Sequence, residues 1–138
     1  MPKSPYRGYR ALGVLVLIYG VASLGHFAHN AEFLSDYPNM PHSWSRAQVY
    51  FAWFGMTAVG VFGWLSLARG FTGAGLLLLA LYSALGLDSL GHYALAPMSA
   101  HTMAMNSAIL VEVAAAALVL LEVLRLLVRR LLHRVGRV

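Results

Sequence analysis

Two stretches of this chain set a histidine in the same six-residue frame. Ser23-Leu24-Gly25-His26-Phe27-Ala28 returns sixty-six residues later as Ser89-Leu90-Gly91-His92-Tyr93-Ala94, with five identities and one Phe/Tyr exchange. His29 follows His26 by three residues and shares its helical face, and Asp88 precedes His92 by four, one turn deeper. His101, Met105, Ala108 and Glu112 recur at spacings of four, three and four, which draws one stripe on a helix. Imidazole and carboxylate donors gathered in this way suit a transition metal: iron, less readily zinc, and copper where Met103 or Met105 stands beside the imidazoles. The expected ligand set is His26, His29, Asp88, His92 and His101, backed by Glu112 and Met105. A different chemistry takes His26 and His92 as axial ligands of a haem b. A carboxylate one turn from a histidine is an ordinary metal-site partner and is less needed beside a haem, so the metal is preferred. The plain alternative has equal weight: the histidines hydrogen-bond Asp88, Ser23, Ser89 and helix-end carbonyls, as is common where membrane helices meet water.

Holding these groups in place falls to a chain that is 59% hydrophobic and 11% charged, with a mean hydropathy of +0.67 over 138 residues. A soluble domain carries about twice that charged fraction. The apolar residues form four blocks, and the backbone groups of a lipid-embedded segment must be satisfied within the segment. The expected architecture is an all-α membrane protein, a single domain over 1–138. Its four transmembrane helices run at about 11–30, 46–68, 71–94 and 99–124, with a basic amphipathic extension over 125–138. The first block reaches across a hydrocarbon core of about 30 Å only if it stays helical to Glu32. Ser45 is the expected N-cap of the second helix, after an outer loop with room to fold over the helix ends. His26, Phe27 and His29 stand where a signal peptide would need small residues, so the first helix is expected to remain.

Nine of the ten Lys/Arg side chains fall at one face (Lys3, Arg7, Arg10, Arg69, Arg125, Arg129, Arg130, Arg134 and Arg137), and only Arg46 at the other. The positive-inside rule then puts both termini in the cytoplasm, and in a bacterium the His-rich loops face the periplasm across the inner membrane. The extension should lie along the cytoplasmic leaflet and attract anionic lipid. His26, His29, His42, His92 and His101 all belong to the outer face. Glu112 is expected about 16 Å below His101, near mid-membrane. The repeated hexamer suggests tandem duplication of a two-helix hairpin, with His26 and His92 at equivalent positions and Gly25 and Gly91 admitting a close backbone or a flat cofactor.

The Asp88-x-x-x-His92 pattern with a following His101 resembles, over residues 88–101, the copper-binding motif in the C subunit of membrane methane and ammonia monooxygenases. The second gap is shorter here, and no activity is carried over. Three functions from different classes follow. The first is an outward-facing metal site serving metal handling or a membrane oxidoreductase. The second is a bundle that binds or isomerises a lipid- or sterol-like molecule, using Asp88 and Glu112 as acid and base. The third is an accessory subunit of a larger membrane complex. The chain has no cysteine, phosphate loop, nucleophile elbow or HExxH motif, and its basic residues serve topology and not nucleic acid. Acting alone as a channel or transporter, four short helices would need to form a homo-oligomer.

Overall fold

Every apolar block becomes a helix in the computed structural model, which describes residues 9–135. The elements are α1 (Arg10–Glu32), α2 (Arg46–Ala68), α3 (Thr72–Leu87), the single turn α4 (His92–Leu95) and α5 (Met103–Val135). Among the described residues there is no strand. Four segments are long and apolar enough to cross a membrane: Arg10–Glu32, Arg46–Ala68, Thr72–Leu95 and Met103–His133. α1 packs on α2 and α5, and α3 packs on the same two, so α1 and α3 stand diagonally across the bundle. Lys3, Arg7 and Arg137, and the side chain of Arg134, lie outside the described residues.

The outer coat is apolar. Val21 is 74% exposed and Phe51 73%, beside Leu17, Phe62 and Leu77, a surface matched to lipid tails. The inside is apolar too in the half holding the chain ends, where Leu12, Leu76, Leu79, Ala116, Val119 and Val123 are buried. Helices that are apolar all round cannot be oriented by a hydrophobic stripe. Small residues orient them instead. A Cβ on Gly75 would stand 2.8 Å from the Leu67 backbone nitrogen, so α2 and α3 touch backbone to backbone there. A Cβ on Gly86 would come within 2.1 Å of the Tyr19 hydroxyl. That gap lets Tyr19 cross the bundle and donate to the Tyr82 carbonyl oxygen at 3.0 Å.

The ends follow the local chemistry. α1 does stay helical to Glu32, the length its span requires. Ser45 caps α2 in a reciprocal capping box with Gln48. Gly70, at φ +86°, makes the tight turn into α3 that a side chain would strain. Two boundaries differ from the sequence expectation. The third span is not one helix over 71–94, because α3 stops at Leu87 and Asp88–Gly91 winds as a 3₁₀ turn before α4. The last helix starts at Met103 and runs unbroken for 33 residues, about 50 Å. No glycine or proline interrupts it, and Leu126 and Leu127 pack against the core, so the extension continues the span's axis without turning aside.

Candidate functional site

Tyr19 marks a change of character. Outward from it along α1, Ser23, His26 and Asn30 succeed one another at spacings of three and four, and all three are buried. They line one face and point into the bundle. Opposite them α5 supplies Glu112, fully buried, and Met105, 3% exposed, which packs with Tyr37 and Ile109 in a small outer cluster. The third span contributes Ser89 and His92, and the turn before α5 contributes His101.

These groups form a column from mid-bundle to the outer rim. Ser89 Oγ donates to Glu112 Oε2 at 2.6 Å, and His26 Nε2 stands 3.8 Å from the same oxygen. The His26 and His92 ring centroids are 5.4 Å apart, and those of His92 and His101 are 6.3 Å apart. An ion about 2.1 Å from each of two ring nitrogens would hold centroids at separations of about 5–6 Å, a range that the first pair meets and the second exceeds slightly. Asn30 Nδ2 donates to His92 Nε2 at 3.1 Å, which leaves the His92 proton on Nδ1. His101 Nδ1 donates to the Pro97 carbonyl oxygen at 3.1 Å, so its Nε2 carries a bare lone pair.

Several of these atoms are buried without a partner: His101 Nε2, His26 Nδ1, Glu112 Oε1, Asn30 Oδ1 and Ser23 Oγ. Buried polar atoms are almost always satisfied, and each one left bare costs about 1–3 kcal/mol. Five in one column form a concentration that helix-end hydrogen bonding does not account for. Among the described residues no three His, Asp or Glu side chains already surround a common point; the imidazoles stand in sequence along the column.

The outer loop closes the rim. Tyr37 is 3% exposed, and its ring lies 5.0 Å from His92 and 6.4 Å from His101 by centroids. Its hydroxyl is 2.9 Å from His29 Nδ1. Burial, with the nearby Glu112 and Tyr93, pushes the Tyr37 phenol up to about 12, so it stays neutral at physiological pH. The loop is fastened at both flanks. Arg46 reaches Glu32 at 2.7 Å and Tyr50 donates to it at 2.9 Å, while Asn39 Nδ2 donates to the Leu95 carbonyl oxygen at 2.8 Å.

The expected residues are thus divided. His26, His92 and His101 come together, His29 supports the lid through Tyr37, and Glu112 enters the column through His26. Asp88 does not. Its side chain is exposed, and among the described residues no hydrogen bond or ion pair joins it to His92. The cause is the 3₁₀ turn: at three residues per turn, positions four apart point about 120° away from each other, where an α-helix would stack them. The same winding carries Ser89 inward. No backbone approaches Gly25 or Gly91, where a Cβ would meet open space. Tyr37 and Asn30 were not foreseen as site residues; the signal for Asn30 was its spacing of four from His26. Compared with models of protein families, with curated proteins and with solved structures, the chain matches none.

Proposed function

We propose that this chain is a small integral membrane protein that binds a transition metal ion at its outer rim through His26, His92 and His101, serving metal handling or a membrane oxidoreductase. The observation that carries this is the pair of buried, unpartnered imidazole nitrogens, His101 Nε2 and His26 Nδ1, on either side of His92. A bare lone pair in a dry site is what a metal ion satisfies and what a packing histidine avoids. Glu112, backed by Ser89, takes the carboxyl place that the sequence offered to Asp88. For His92 to bind through Nδ1, the Asn30 amide turns so that its unpartnered Oδ1 accepts the Nε2 proton, which frees the Nδ1 lone pair and holds the ring in one orientation. Imidazoles with Met105 in the wall favour copper, then iron, with zinc third. Ring centroids 5.4 Å apart are closer than the roughly 6 Å or more of two imidazoles on opposite sides of one haem iron, which favours an ion over a haem b between His26 and His92.

The rest of the proposal is topological. The collection of basic residues at the end opposite the histidines supports, by the positive-inside rule, a topology with both termini in the cytoplasm and the site toward the periplasm of a bacterial inner membrane. Arg129 and Arg130 then meet anionic headgroups. The hexamer repeat is the trace of a duplicated hairpin, and assembly as a homo-oligomer or within a larger complex goes with so small a bundle.

Metal analysis and an optical spectrum of the protein purified from copper- or iron-supplemented cells test the site. About one ion per chain, lost in His101→Ala and kept in Asp88→Ala, is expected. A Soret band would transfer His26 and His92 to haem, and an ion-free protein after reconstitution would overturn the metal site. A second reading rests on Glu112 Oε1, a wholly buried unpartnered carboxylate oxygen beside His26: acid–base chemistry on a lipid-like molecule. A copurifying lipid released by Glu112→Gln, in a metal-free protein, would favour it.

A further inference from the structure

A second recess lies away from the histidine column, on the outward side of the α1–α2 pair. It measures about 500 Å³ and its lining is almost entirely apolar, with Gly20 and Leu24 from α1, Trp53, Thr57 and Trp64 from α2, and Tyr82 from α3. The recess exists because this seam is kept thin. A Cβ on Gly60 would come within 2.7 Å of the Tyr82 ring, so the glycine lets that ring slide beneath α2 and form the inner wall. Gly20 leaves a matching gap on α1, 3.9 Å from the Tyr82 hydroxyl by the same measure.

Trp53 Nε1 is buried and has no hydrogen-bond partner, and Thr57 Oγ1 has none either. The two are four residues apart on α2 and face the same way. An indole nitrogen only donates. In a lipid-facing seam no water supplies the missing acceptor, and an alkyl chain lying in the recess fills its volume and leaves the donor bare. The occupant that completes this site has a flat apolar body to lie against Trp53, Trp64 and Tyr82, and a carbonyl oxygen to accept from Trp53. The volume falls within the usual range for small-molecule sites, about 300–1,000 Å³.

We infer that the α1–α2 recess binds a membrane-dissolved, planar carbonyl compound, anchored by the Trp53 indole N–H. Ring quinones and steroid enones share this chemistry. The site is independent of the metal proposal, since no His or Glu lines it.

Equilibrium binding to the full chain in phosphatidylcholine nanodiscs tests this, using radiolabelled short-tail ubiquinone and progesterone as the two probes. Saturable binding of at least one is expected, and whichever binds identifies the source. Trp53→Phe keeps the ring and removes the donor, and should weaken binding about tenfold, the worth of one hydrogen bond in a dry site. Leu24→Trp, at an exposed rim position, should abolish binding by filling the recess without disturbing the core. His26→Ala should leave binding unchanged while removing metal, so the two proposals fail separately. Absence of saturable binding for both probes, or binding indifferent to Trp53→Phe and Leu24→Trp, overturns the inference.

Discussion

The two halves of the bundle solve one packing problem in opposite ways. Toward the chain ends, Leu12, Leu76, Leu79, Val119 and Val123 fill the interior, and the glycines of α2 and α3 bring backbones into contact. Toward the outer rim the same four spans enclose Ser23, His26, Asn30, Glu112 and His101, and leave polar atoms on each of these without a partner. Tyr19 separates the two, its ring 4.4 Å from that of Tyr82 and its hydroxyl spent on the Tyr82 carbonyl oxygen. A fold that needed only to be stable would have extended the first solution to both ends. The outer half is therefore where function is to be sought, and the inner half is what holds it.

That contrast can be broken from either side. The largest effect is expected from His101→Ala, which removes the bare Nε2 and should lower metal affinity at least a hundredfold in a competition titration, with helicity by circular dichroism unchanged. Gly86→Ala attacks the boundary. Its Cβ would collide with the Tyr19 hydroxyl, and a loss of about 1–3 kcal/mol in thermal or denaturant unfolding in micelles is expected. Asn30→Ala frees His92 without removing a ligand and should cost about tenfold in affinity, at the low end for a ligand-orienting partner. Tyr37 gives a pH test. Its folded-state pKa lies above its unfolded value, so its contribution is complete below pH 10 and is lost as pH rises from 10 through about 12. Alkaline unfolding curves of the parent and Tyr37→Phe proteins should diverge in that window alone. The smallest effect is reserved for Asp88→Asn, under twofold on metal affinity, since the side chain stands in the open.

What the sequence made legible was set by local chemistry. The Ser45 cap, the α2 limits and the Arg69-Gly70 turn depend on neighbours within a few residues. The approach of His26, His92 and His101 was also readable, because the repeat and the outer-end placement both pointed to it. Asp88 was misplaced because an i, i+4 argument assumes α-helical winding, and nothing local to Asp88-Ser89-Leu90-Gly91 announces a 3₁₀ turn. Glu112 was judged by its depth relative to His101. The approach that matters is to His26 on a different helix, and spans that are apolar all round give no pattern from which to read their facing. Tyr37 lay in a loop whose fold depends on Glu32, Asn39 and Leu95, contacts that reach across the chain.

The hydrogen bond from Asn39 to Leu95 spans 56 residues and stitches the first hairpin's loop to the turn of the second. Its consequence is temporal. The loop cannot settle until the later helices have been synthesised and packed, because non-local contacts form only after the intervening chain has been closed. The lid carrying Tyr37 is thus among the last parts of the molecule to be finished, and a newly made bundle passes through a stage in which its histidines stand uncovered.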